Sequence, residues 1–139
     1  MKFKTNLIFI AVLILFAVIT FHAGAQPFVL KKMADLNTPI PNGSGNFSGL
    51  WRPLINGGNV VFTGLGTGPK GIYLFNGADL IKVTDLNTSI PNGSGTFTEI
   101  YDPMISDDTI AFQAEGVGQK GIYLASLQTK TVTMPILSE

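Results

Sequence analysis

The 139-residue chain contains no cysteine, one histidine and one tryptophan. Without cysteine there is no disulfide framework, no thiol nucleophile and no lipid-modified N-terminal cysteine. The histidine is His22, inside an apolar leader, so residues 26–139 have none, which excludes His-based triads and ordinary zinc sites there. Carboxylate or Tyr/Lys chemistry remains, and no spacing singles out a pair, so no enzymatic activity is expected. Charge of one sign is also missing: the whole chain has nine basic and nine acidic residues, and setting aside Lys2 and Lys4 leaves seven against nine. That balance carries neither a nucleic-acid footprint nor a polybasic membrane patch. Outside the leader no segment shows the 3.6-residue periodicity of a helix.

What is present begins with Lys2 and Lys4 ahead of an apolar run from Leu7 to Phe21, closed by Ala23-Gly24-Ala25. This is the pattern of a cleaved signal peptide over residues 1–25, and the run is short of the roughly 20 residues that span a bilayer. The expectation is export to the periplasm, cell surface or medium, with membrane contact only through the leader before cleavage. Residues 26–139 are then one domain, long enough for a core of its own.

The rest of the chain is a tandem repeat. DLNTPIPNGSGNF at Asp35 to Phe47 returns as DLNTSIPNGSGTF at Asp85 to Phe97, and KGIYL at Lys70 to Leu74 returns at Lys120 to Leu124. Sliding Leu30–Phe75 onto Leu80–Ala125 needs no gap and matches 23 of 46 positions. The units run about 35–84 and 85–134. A period near 50 residues, built of short apolar runs and Gly/Asn turns, points to propeller blades or a related all-β array.

Four short strands are expected per unit: Phe47–Trp51, Asn59–Gly64, Gly71–Phe75 and Leu80–Thr84, matched by Phe97–Tyr101, Thr109–Glu115, Gly121–Ser126 and Lys130–Met134. Phe28–Ala34 aligns with Ala78–Thr84 and reads as an extra N-terminal strand. The third strand is apolar on both sides, Ile72 and Leu74 against Tyr73 and Phe75, as in a sheet stacked between two others. The predicted fold is therefore all-β: two four-stranded antiparallel propeller-like blades packed face to face, plus the extra strand. Two blades bury only the face they share, so the outer faces require a homo-oligomer, collapse into a sandwich, or a larger repeat array of which this chain is a part.

The unit DLNT-x-IPNGSG-x-F, followed by P-x-I, a strand ending at Phe62 or Phe112, and KGIYL, resembles a family of secreted bacterial tandem-repeat proteins. Its repeats of about 50 residues carry an ISxDxxAF-like strand and a GIY strand. Copy two, with Ile105 to Phe112, is closer to that pattern than copy one, with Asn56 to Phe62. The resemblance implies a propeller-like array and export, and no particular chemistry.

Two constellations are candidates for binding. Trp51 and Tyr101 are equivalent aromatics beside Arg52 and Asp102; an aromatic face next to a charged group is how many sugar sites are built, and the same rings also suit packing between blades. Small two-blade lectins that close into a ring are similar in architecture. Asp35 with Asn37, and Asp85 with Asn87, bear oxygens able to ligate Ca²⁺, although no acidic residue closes either loop at an EF-hand distance and the spacing matches no standard calcium loop. Asx-turn capping is the alternative reading of the same residues. The Asp107-Asp108 pair falls in a hairpin turn, and Gly64–Gly71 lacks both the G-K-[ST] ending and the following helix of a phosphate loop. The role expected is a secreted, non-catalytic binding or surface-interaction module, whose sharper form binds a glycan at Trp51, Arg52, Tyr101 and Asp102. The second reading is a purely structural envelope or matrix repeat without a small ligand.

Overall fold

A computed structural model describes residues 27–127 and 132–133. The expected signal peptide at 1–25, the start at Gln26 and most of the strand expected at Lys130–Met134 lie outside the described residues. Among the described residues all regular structure is β, and no helix is long and apolar enough to cross a membrane.

The first sheet consists of Phe47–Asn56 (β1), Asn59–Gly66 (β2), Gly71–Phe75 (β3) and Leu80–Asp85 (β4), antiparallel throughout and ordered β1-β2-β3-β4. The second contains Phe97–Ile100 (β5), Met104–Ser106 (β6), Thr109–Gly116 (β7), Gln119–Ser126 (β8) and Val132–Thr133 (β9). Its order is β5-β7-β8-β9, with β6 also paired to β7. Each sheet is a meander, because turn chemistry recurs where consecutive strands must reverse. Gly57 and Gly58 both take positive φ in the β1–β2 turn, and Asp107 does so between β6 and β7.

Among the described residues the expected strands keep their positions to within two residues at each end, apart from a longer β1. Pro53 looks like a strand end, yet β1 continues to Asn56. A bulge makes this possible: the register passes from Trp51↔Thr63 to Leu54↔Val61, and Arg52 between them sits at φ 51. The proline then falls where no ladder hydrogen bond is needed. In the second copy the chain leaves the ladder at Tyr101 and resumes at Met104↔Ala111, splitting the equivalent strand into β5 and β6.

The repeated DLNT loops are likewise built alike. Ile40 and Ile90 are buried plugs, each bonded through its backbone to a glycine across the loop, Ile40 N–H to Gly45 O at 3.0 Å and Ile90 N–H to Gly95 O at 3.1 Å. A Cβ at Gly66 or Gly116 would overlap the isoleucine side chain, so glycine there lets the loop seat on its own sheet.

Alternation along the strands gives each sheet two faces. In the first, Phe62 and Tyr73 are cross-strand partners on one face, joined by Phe47, whose ring centroid is 4.8 Å from that of Tyr73. Val61 and Leu74, with Thr63 and Ile72, occupy the other face. The second sheet repeats the aromatic trio as Phe97, Phe112 and Tyr123, with Phe97 and Tyr123 at 4.9 Å. One buried cluster joins this second trio to Val61, Ile72 and Leu74 of the first sheet, so the two repeats share a core. The first trio belongs to a separate cluster with Ile40, flanked by Ala34, Leu50 and Leu80.

The extra N-terminal strand is not formed. Residues 28–34 carry no strand, and Phe28, Val29 and Leu30 are exposed. The segment has the side-chain pattern of β4, but the places beside the third strand of each unit, where such a strand pairs, are filled. The edge of β3 is taken by β4 and that of β8 by β9.

Candidate functional site

The four residues singled out as a sugar site line one cleft. Trp51, Arg52, Tyr101 and Asp102 surround a cavity of about 400 Å³ together with Thr63, Leu65 and Lys70. The repeat explains the convergence: position 51/101 closes the first half of the first strand in each copy, and β1 lies against β6 where the sheets meet.

Trp51 pairs with Thr63 across β1 and β2 and is 48% exposed. Its ring lies over Gly49, two residues earlier on the same face, where a Cβ would run into the ring. Gly49 therefore sets the tilt of the indole. Tyr101 is 38% exposed and bonds its hydroxyl to Glu115 Oε1 at 2.7 Å. The ammonium groups of Lys70 and Lys120 stand 5.9 and 5.3 Å from the centre of its ring.

Charges in the cleft are paired across the repeats. Arg52 Nε meets Asp102 Oδ2 at 3.0 Å, and Lys70 pairs with Glu99. Lys120 and Glu115 meet at 2.6 Å beside Tyr101. The Lys70 ammonium, bonded to Glu99, holds that carboxyl below the usual glutamate range. Glu115 is lowered first by Lys120 and then by the Tyr101 hydroxyl, and the same hydrogen bond pushes Tyr101 up. Arg52 holds a left-handed conformation that non-glycine residues rarely adopt, so backbone strain sits at the cleft rather than elsewhere in β1.

Thr63, Leu65 and Lys70 are members that sequence reasoning missed. They lie 12 to 19 residues from Trp51 and arrive only through the β1–β2 register and the β2–β3 turn. The Thr63 hydroxyl is buried and has no hydrogen-bond partner among the described residues. A signal was present for Trp51, since a glycine two positions before a tryptophan on one strand face permits a flat ring.

The proposed calcium ligands are arranged as turn caps. Asp35 Oδ1 accepts the Asn37 backbone N–H at 3.1 Å and the Thr38 hydroxyl at 2.8 Å, while Oδ2 takes Lys32 at 2.8 Å. Asp85 repeats this with Asn87 N–H at 3.0 Å, the Thr88 hydroxyl at 3.1 Å and Lys82 at 2.7 Å. Both carboxylates thus face donors, one of them an ammonium, which is the geometry of an Asx-turn and competes with a cation for the same oxygens. Among the described residues no three His, Cys, Asp or Glu side chains group as metal ligands do. Lys32, together with the Thr38 hydroxyl, holds Asp35 below the usual aspartate range.

No protein-family model matches the chain, and neither the curated proteins nor the solved structures contain a match to it.

Proposed function

We propose that this protein is an exported, non-catalytic binding module of propeller-like repeats, related to the secreted bacterial tandem-repeat proteins, with its two sheets stacked as adjacent blades and a neutral carbohydrate bound in the cleft between Trp51 and Tyr101. The observation that carries the reading is the convergence of those two half-exposed rings, with Arg52 and Asp102, on one cavity of about 400 Å³. That volume falls in the range of small-ligand sites.

The pairing of charges supports a neutral ligand. Arg52 with Asp102 and Lys70 with Glu99 cancel each other, so the cleft offers donors and acceptors without net charge. Such a surface suits the hydroxyls of a neutral sugar, whose apolar face stacks on an indole or phenol ring.

The test is a glycan array followed by calorimetry on the chain recovered after export with its own leader. Saturable binding of neutral glycans, lost in the Trp51→Ala/Tyr101→Ala double variant, is expected. Binding that survives both substitutions places the ligand elsewhere, and an array without any hit favours the purely structural repeat.

A further inference from the structure

The aromatic layer of the repeat is copied with one exception. Phe47, Phe62 and Tyr73 return as Phe97, Phe112 and Tyr123. Phe75, buried beside its cross-strand partner Val60, returns instead as Ala125 beside Ile110. In the second sheet this pair belongs to the face that meets Val61 and Leu74 of the first. With a methyl group where the other copy carries a phenyl ring, less side chain fills the space between the sheets there, and a hollow of about 280 Å³ borders Ala125. Leu74 and Val83 wall it on the first sheet, and Ile110, Ala125 and Leu127 on the second. It shares no lining residue with the Trp51–Tyr101 cleft.

Three polar residues, Asn42, Lys82 and Ser126, complete the lining. The Lys82 ammonium donates to Asp85 Oδ2 at 2.7 Å and to the Asn42 carbonyl oxygen at 3.3 Å. An ammonium has three N–H groups, so among the described residues one is left for an incoming acceptor. Asp85 already balances the charge, and a ligand carboxylate would meet that aspartate while a ligand ammonium would meet Lys82. We propose that this hollow binds a small uncharged amphiphile of the medium-chain alcohol class, its hydrocarbon chain between the two apolar walls and its hydroxyl oxygen accepting from Lys82. The Ser126 hydroxyl, in the same lining, is placed to take the ligand's O–H. Size agrees with this class, because an apolar cavity of roughly 150 Å³ takes up benzene, and one of about 280 Å³ has room for a chain of about eight carbons. An apolar hollow also lowers stability in proportion to its volume, a loss that an apolar occupant offsets. The site is separate from the sugar cleft and takes ligands of the opposite polarity.

The test is calorimetric titration of the exported chain with 1-octanol, and with octanoate and octylamine as charged controls of the same length. Saturable uptake of one octanol per chain is expected, with both charged controls weaker by roughly tenfold or more because a second charge must be buried beside the Lys82–Asp85 pair. Ala125→Phe restores the residue that the first copy has at this position and is expected to abolish uptake while the urea midpoint stays level or rises. Val83→Phe fills the hollow from the partly exposed edge strand β4 and should abolish uptake too, so it decides the matter if Ala125→Phe does not fold. Absence of saturable octanol binding overturns the proposal. So does undiminished binding in the folded Phe variants, which would put the alcohol elsewhere, or binding of octanoate or octylamine as tight as that of octanol, which would refute the uncharged class.

Discussion

Removing the same side chain from the two copies measures the shared core against its own internal control. Ile72 and Ile122 occupy equivalent positions on β3 and β8, one fully buried and the other 49% exposed. Ile72→Ala deletes side-chain atoms packed against Val61, Leu74 and the second sheet, and substitutions of this type in cores cost about 2–5 kcal/mol. Because the neighbours are large and ring-bearing, with Phe112 and Tyr123 in the same cluster, little collapse into the gap is expected and the cost falls in the middle of that range, about 3 kcal/mol. In a domain of this size that is a drop of roughly 10–20 °C in Tm. Ile122→Ala removes a half-exposed side chain and is expected to cost less than about 1 kcal/mol in the monomer. Urea unfolding of both variants, at concentrations below any association, gives the two midpoints directly. Equal losses would refute the reasoning, because they would mean that the faces of β3 and β8 are covered to the same degree.

Three further outcomes follow from the same geometry. Gly49→Ala places a Cβ against the Trp51 ring, so the indole must swing out; tryptophan emission is expected to shift red while stability changes little, and unaltered emission would show that the ring does not rest on residue 49. Lowering the pH is expected to weaken the fold as it passes below the ordinary glutamate range, because Glu99 and Glu115 have folded-state pKa values below their unfolded ones and contribute stability only while ionised; the Glu99→Gln/Glu115→Gln variant should lose part of that acid sensitivity, and an identical pH profile would contradict it. Asp85→Ala, which leaves the Asn87 N–H and Thr88 hydroxyl without their acceptor at a buried site, should cost about 2 kcal/mol, and more than Asp35→Ala at its more exposed counterpart; urea midpoints in the reverse order would argue against the capping role.

Local patterns carried much of this architecture, and long-range pairing carried the remainder. Alternation and turn residues located β2, β3 and β4, and β7 and β8 in the second copy, since a side-chain period of two is written in five or six consecutive residues. The second half of β1 was hidden because Pro53 looks like a stop, and only the bulge at Arg52 reconciles it with a continuing strand. Phe28–Ala34 misled for the opposite reason: its pattern is that of a fourth strand, but the places beside β3 and β8 that such a strand takes are filled by β4 and β9, which no local window reports. Trp51, Arg52, Tyr101 and Asp102 were legible as a pair of equivalent positions, whereas Thr63 and Lys70 enter the cleft through register alone. The inequality of Ile72 and Ile122 could not be seen in two identical KGIYL segments. It comes from which neighbour each strand has.

The most direct measurement of the central claim is a titration of the single tryptophan's fluorescence with neutral oligosaccharides. A sugar stacking on the Trp51 ring is expected to produce a saturable change in intensity and a blue shift, absent when Arg52→Ala/Asp102→Ala removes the polar partners beside it. An emission spectrum that no neutral sugar alters at any concentration would contradict the assignment of the Trp51 cleft as a carbohydrate site.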